Sequence, residues 1–254
     1  LNVRLTLAYD GTAFSGWQVQ PDRRTVQGEV RDALESICGH SVRLIGAGRT
    51  DAGVHALGQV ANARLNTRIP PRGLRSLLRR RLPPDVEVLR VEQAPETFDA
   101  RRSALSRTYE YRFVERADLF RRRYALGTGP GLDVPRMTEA CREFLGEHDF
   151  TSFCSSREEG VRLCRVVETV LLELGDEWVF RIKADHFLYN MVRVMAGTLL
   201  ELGRGRRPGT SVRDIIERRD RKAAGVTAPP QGLFLVEVEY GAPVEEGPGN
   251  SDRD

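Results

Sequence analysis

The sequence predicts a mixed α/β (α+β) protein, and three observations carry that prediction. Stretches in which apolar and polar residues alternate recur along the chain, the pattern of half-buried strands. Interspersed with them are stretches whose apolar residues fall three and four apart, the pattern of helices. Gly and Asp turn signals separate the two kinds, so that each half of the 254 residues holds a strand, a helix and further strands. That length allows one large or two modest domains with a sizeable core.

Val3, Leu5, Leu7 and Tyr9 alternate with Arg4, Thr6 and Ala8, which makes residues 3–9 a strand with one face on a core. Asp10-Gly11 then turns the chain. Thr25 can cap a helix over Thr25–Cys38, in which Val26, Val30, Leu34 and Ile37 share a face and Gly39 provides the stop. Val42–Ile45 reads as a short strand and Gly58–Leu65 as a longer one. From Arg64 to Pro84 the charges are all of one sign: Arg64, Arg68, Arg72, Arg75, Arg79, Arg80 and Arg81, with no acid. Leu74, Leu77 and Leu78 give this stretch an apolar helical stripe. Arg72, Arg75 and Arg79 fall on another face, a candidate phosphate footprint.

Val86–Val91 and Leu105–Val114 alternate as strands, and period two puts Tyr109, Tyr111 and Phe113 on one face. Arg121, Arg122 and Arg123 form a second basic cluster. Val134–Leu145 reads as a helix and residues 155–162 as a mobile loop. Leu163–Leu174 and Glu177–Ala184 are strands around the Gly175-Asp176 turn. Phe187–Leu202 is apolar on most faces, as a buried helix is, yet contains Arg193; a buried Arg requires an anion. Arg213–Lys222 is a charged helix, Leu233–Tyr240 a closing strand, and residues 241–254, rich in Gly, Pro and acids, a disordered tail.

Composition is that of an ordinary globular chain, 40% hydrophobic and 30% charged. No apolar run approaches the ~20 residues of a membrane span, and no secretory signal is legible. Cys38, Cys141, Cys154 and Cys164 are scattered and read as buried thiols of a reducing cytoplasm. With four His they supply no metal-ligand spacing. Net charge is +3, but of 39 basic residues only Lys183 and Lys222 are lysine. Arginine pairs with phosphate through two parallel bonds and stacks on bases, which suits nucleic acid.

Gly46, Gly48 and Gly53 bracket Arg49, Thr50 and Asp51, a pattern for a sharp turn that holds one carboxylate at a fixed point. The spacing fails both phosphate-loop tests: it is not G-x-G-x-x-G opening a helix, and no Lys follows the last Gly.

Gly48-Arg49-Thr50-Asp51-Ala52-Gly53-Val54-His55 resembles the catalytic motif of the TruA family of tRNA pseudouridine synthases. Further stretches resemble the same family: Tyr9-Asp10-Gly11 with Phe14, Gly16, Trp17 and Gln18; Phe98-Asp99-Ala100-Arg101 with Arg107-Thr108-Tyr109-Glu110-Tyr111; Phe187–Gly203; and Ala228–Leu235. The likeness runs from Val3 to Tyr240. It implies two similar halves, 1–104 and 105–240, each a mainly antiparallel mixed sheet with helices on one side, meeting at a central active-site cleft. It implies that Asp51 is catalytic, that Arg193 pairs with it and that Tyr109 stacks on the target uracil. Leu233 would lie against the base and Arg49 would hold the flipped site. Arg79 departs from the family's Asn and takes no role from it.

The activity implied is conversion of uridine to pseudouridine at positions 38, 39 and 40 of the tRNA anticodon arm, by a cytoplasmic homodimer. That reaction needs no redox step or phosphoryl transfer, hence no cofactor and no metal. Its one requirement is an ionised carboxylate beside the sugar, either attacking C1′ or removing a sugar proton. A closed cleft favours the protonated acid, and a nearby Arg opposes this. Arg72, Arg75, Arg79, Arg121 and Arg122 are candidate RNA-backbone contacts. The competing expectation is a non-catalytic RNA-binding α/β module, which keeps the basic face but has no need of an Asp51–Arg193 pair. A glycosidase would require two carboxylates, and the motifs offer one.

Overall fold

A computed structural model describes residues 1–155 and 162–241. Its elements are β1 (Asn2–Tyr9), α1 (Val26–Cys38), β2 (Leu44–Gly46), β3 (His55–Arg64), α2 (Pro71–Arg81), β4 (Val86–Gln93), β5 (Ala104–Val114) and β6 (Leu126–Gly127), followed by α3 (Val134–Arg142), β7 (Gly146–Asp149), β8 (Leu163–Leu174), β9 (Glu177–Ala184), α4 (Met191–Gly203), α5 (Val212–Arg218) and β10 (Leu233–Tyr240). The expectations for the loop around 156–161 and for the tail 242–254 lie outside the described residues.

One 10-stranded sheet runs through the molecule in the order β4-β1-β3-β10-β5-β9-β8-β7, with β2 on β3 and β6 on β5. The ladders along that order are antiparallel except at the centre. There β10 pairs with β3 in parallel, Phe234 opposite His55 and Leu235 opposite Ala56, while its other edge pairs antiparallel with β5. The last strand of the chain thus joins its first part to its second. The mixed sheet with helices is the fold class that the sequence predicts.

Alternation is realised as burial. Val3, Leu5 and Leu7 are fully buried, while Arg4, Thr6 and Ala8 are half-buried. Helices α1 and α2 pack on each other and on β2 and β4; α3 and α4 pack on each other and on β8 and β5. The α1 start is capped by the Thr25 hydroxyl, which accepts from the Gly28 N–H at 3.3 Å. Pro71 opens α2 and Arg79, Arg80 and Arg81 close it, the charge order that its dipole favours. No helix among the described residues is long and apolar enough to cross a membrane.

Several boundaries differ from the sequence reading, each for a physical reason. Strand β3 starts at His55 and passes straight through Gly58, which alternation alone treats as a break. A Cβ there would stand 2.2 Å from the Val236 carbonyl oxygen, so the glycine marks where β10 crosses closely. Helix α4 begins at Met191 and not Phe187, because Asn190 is left-handed (φ 59°) and ends a turn that presents Tyr189 to solvent. Continuous apolarity gave the periodicity no way to find that start. Helix α5 is set by a Ser211–Asp214 capping box and stops at the left-handed Arg219 (φ 48°), short of Lys222. The Asp220 side chain then caps a separate 3-10 turn, Arg221–Ala223. Helix α3 ends at Arg142, and the strands β6 and β7 are too short for a period to appear.

Candidate active site

Between the two helix groups lies a cleft of about 780 Å³. Its wall takes residues from both parts of the chain: the Gly46–Asp51 segment on one side, Tyr109, Phe187–Arg193 and Leu233 on the other.

The glycine-rich segment leaves β2 and is fixed by backbone and side-chain bonds before it reaches Asp51. Trp17 is buried against it. A Cβ on Gly46 would stand 2.5 Å from the indole, so only glycine lets the chain pass. The Trp17 backbone N–H donates to the Thr50 carbonyl at 3.0 Å. Thr50 and Tyr9 share a buried hydroxyl contact of 2.8 Å, and burial pushes the Tyr9 hydroxyl up to about 12. Gln59 donates to the Gly48 carbonyl at 2.9 Å. At the far end, Gly11 N–H donates to His55 Nδ1 at 3.0 Å. His55 Nε2 faces the Arg123 carbonyl at 2.9 Å, and its ring stacks on Phe234. Nδ1 accepts from Gly11, so the ring is neutral with its proton on Nε2. Burial lowers its basicity, opposed by the nearby Asp10.

Asp51 lies 30% exposed at the cleft wall, and its Oδ2 accepts from Arg193 Nη1 at 3.0 Å. The two residues come from different parts of the chain, 142 positions apart. Arg193 sits in the first turn of α4 and is 16% exposed. It is held by three further bonds: Nη1 to Asn190 Oδ1 (2.9 Å), Nε to the Ala228 carbonyl (2.8 Å), and its own carbonyl accepting from the Ala228 N–H (3.0 Å). The left-handed turn at Asn190 is what brings that amide back to the guanidinium. Among the described residues Asp51 Oδ1 makes no hydrogen bond, which leaves one carboxylate oxygen for a ligand.

Tyr109 and Leu233 are buried and line the same cleft; the Phe187 ring meets Tyr109 edge-on at 5.1 Å. Burial raises the Tyr109 hydroxyl well above its ordinary value; the nearby Tyr9 and Asp51 act in the same direction and Arg107 against it. A neutral phenol is therefore the form present at neutral pH, which suits a stacking ring. Arg49 is exposed at the cleft mouth.

The other arginines singled out in the sequence do not line the cleft. Arg72 is exposed on α2, Arg75 donates to the Val88 carbonyl (3.3 Å), and Arg79 lies 3.4 Å from Glu87. Arg121 is engaged by Asp176 (2.6 Å) and Asp118 (3.3 Å), and Arg122 is exposed.

Sequence reasoning missed Arg107. Its guanidinium donates to the carbonyls of Ala47 (2.9 Å), Arg101 (3.0 Å) and Asp185 (2.8 Å). It thereby ties the loop before Asp51 to the entry of β5 and the exit of β9. A signal was present: period two puts Arg107 on the face of Tyr109, Tyr111 and Phe113, where a charge is out of place.

One further cluster borders the cleft. His186 Nε2 lies 3.2 Å from Cys164 Sγ, and His186 Nδ1 lies 2.9 Å from Asp185 Oδ1. The order is that of a nucleophile, base and orienting acid, but Cys164 is fully enclosed and burial pushes its thiol up to about 12. Cys141 and Cys154 are buried as well, and Cys38 is half-buried. Among the described residues no group of three or more His, Cys, Asp or Glu could hold a metal ion.

Known proteins resemble this chain over nearly its whole length. The family described as tRNA pseudouridine synthase matches residues 6–101 and 140–241. A tRNA pseudouridine synthase A of Exiguobacterium sp. is 41% identical over 239 residues, covering 94% of this chain and 97% of the relative. That of Brevibacillus brevis is 44% identical over 241 residues, covering 94% and 99%. That of Caldicellulosiruptor bescii is 42% identical over 242 residues, again 94% and 99%. Both matched segments contribute to the cleft, the first bringing Asp51 and the second Arg193. On this likeness the chain belongs to the tRNA pseudouridine synthase family.

Proposed function

We propose that Asp51 is the single catalytic carboxylate of this enzyme, an isomerase that converts uridine in tRNA to pseudouridine, and that it acts at positions 38, 39 and 40 of the anticodon arm. The observation that carries the assignment is the 3.0 Å contact of Asp51 with Arg193 across a cleft whose wall also includes Tyr109 and Leu233.

In the reaction the C1′–N1 bond breaks, the uracil turns, C1′ bonds to C5, and the C5 proton leaves while N1 gains one. Asp51 Oδ1 either attacks C1′ or takes a proton from the sugar. The guanidinium of Arg193 compensates the carboxylate charge and fixes its direction. Tyr109 stacks on the uracil and Leu233 packs beside it, which holds the detached base while it turns. The target nucleotide must leave its helical stack, at a cost of a few kcal/mol; Arg49, exposed at the mouth, holds the site that it vacates. Arg72, Arg75, Arg79, Arg121 and Arg122 lie off the cleft and are assigned to backbone contacts with more distant parts of the tRNA.

Two units, 1–104 with Asp51 and 105–240 with Tyr109, Arg193 and Leu233, are the proposed division, supported by the cleft's drawing on both. The proposed working form is a homodimer with one tRNA lying across both subunits, in the cytoplasm where tRNA is found.

The test is release of tritium to water from tRNA labelled at uridine C5. Wild type is expected to release it, and Asp51→Ala to bind tRNA normally and release none. A wild type that binds tRNA without releasing tritium is a binding module and not an enzyme; an active Asp51→Ala removes the site assignment.

A further inference from the structure

The cleft wall carries more positive charge than the reaction uses. Arg43, Arg49, Arg101, Arg107 and Arg193 all line it, against one carboxylate among the described residues, that of Asp51. Arg193 is neutralised by Asp51. Arg107 spends its guanidinium N–H groups on carbonyl oxygens, which satisfy hydrogen bonds and leave its charge uncompensated. Arg43 and Arg101 are different again: both are exposed, and among the described residues neither side chain makes a hydrogen bond or ion pair. Asp99, the acid nearest Arg101 in sequence, spends its Oδ1 on the backbone N–H groups of Arg101 and Arg102 at 2.9 Å.

We propose that Arg43 and Arg101 form a phosphate seat at the end of the cleft where Arg107 ties Ala47 to Arg101, and that the seat takes an RNA phosphodiester next to the everted nucleotide. Three features support it. The two guanidinia are free to make the paired N–H bonds that phosphate oxygens accept. Their backbones are fixed, because one Arg107 nitrogen donates to both the Ala47 and the Arg101 carbonyl, and Arg43 leads into β2, which ends one residue before Ala47. The uncompensated charge of Arg107 lies against the same wall, where it favours an anion and repels a competing cation. A phosphate held there anchors the strand while the neighbouring base reaches Tyr109 and Leu233.

This seat rests on reading the cleft as the RNA site, and the experiment separates the two. Wild type, Arg43→Gln/Arg101→Gln, and a control of equal net charge on α5, Arg213→Gln/Arg218→Gln, are titrated with tRNA between 50 and 400 mM salt. Each lost phosphate contact lowers the slope of log Kd against log salt by about 0.7–0.9. The cleft pair, which together hold one phosphodiester, is therefore expected to flatten the slope by about 0.7–0.9 relative to wild type, and the α5 pair to leave it unchanged. In the tritium assay the cleft pair is expected to raise KM at least tenfold with kcat within about threefold, because Asp51 and Arg193 are intact. A slope equal to that of wild type, a loss shared equally by the α5 pair, or a fall in kcat with KM unchanged would each overturn the seat. A wild type that releases no tritium overturns the reading of the cleft instead.

Discussion

Replacing Arg193 by Met removes the charge from the Asp51 pair while keeping an unbranched apolar stem in α4. The side chain makes three hydrogen bonds, to Asp51, Asn190 and the Ala228 carbonyl, at 2.8 to 3.0 Å. The site is partly open, Arg193 at 16% and Asp51 at 30% exposure, so water can reach the groups left behind. The stability cost is therefore about 1–3 kcal/mol, below that of a sealed ion pair, and the chain remains folded. The effect on rate is larger. A hydrogen bond to a charged group contributes about 1.5–3 kcal/mol, and loss of aim at the reacting carbon adds a further factor of roughly 10². Together these amount to about 4–6 kcal/mol, or a fall in kcat of about 10³–10⁴. The assay is tritium release under single-turnover conditions, with tRNA binding measured in parallel and expected to stay within about threefold. Addition of ethylguanidinium to Arg193→Ala is expected to restore part of the rate, since the cleft is large enough to admit it. A Met variant with more than about a tenth of the wild-type rate would show that Asp51 acts without its partner, and the reasoning from the ion pair would fail.

Two other outcomes follow from the same geometry. Arg107→Lys keeps the charge but reaches at most two of the carbonyls now bound, so it is expected to lower kcat about 10- to 100-fold with tRNA affinity little changed. Faster hydrogen exchange around Ala47 and Gly48 would accompany that loss, and unchanged exchange there would refute the tie. Burial lowers the folded-state basicity of His55 below its ordinary 6.5, so its contribution to stability is complete above about pH 6.5 and is lost as the pH falls further. Thermal melts are expected to show that acid limb in wild type and a shallower one in His55→Asn; parallel limbs would mean that His55 is not the group responsible.

Much of the architecture and much of the candidate site is legible in the letters, because both depend on local pattern. Alternation marks strands such as β1 and β5 wherever one face is buried, and the Thr25 cap and the glycine that follows Cys38 bound α1. The glycine-rich stretch singles out Asp51, and an arginine within an apolar helix singles out Arg193, since a charge there requires a partner. What the letters do not contain is proximity. Which acid meets Arg193 is decided by a turn at Asn190 and a loop at Ala228 that bring residues 142 positions apart within 3.0 Å. That β10 closes the sheet between β3 and β5, that Gly58 is needed for its passage, and that Arg107 ties three segments together are likewise properties of chain crossings. Period and composition act over a few residues and carry no record of such crossings; long-range packing sets them. For the same reason α2, with its arginine-rich face, stands out in sequence yet lies off the cleft, while Arg43 and Arg101, inconspicuous as letters, line it.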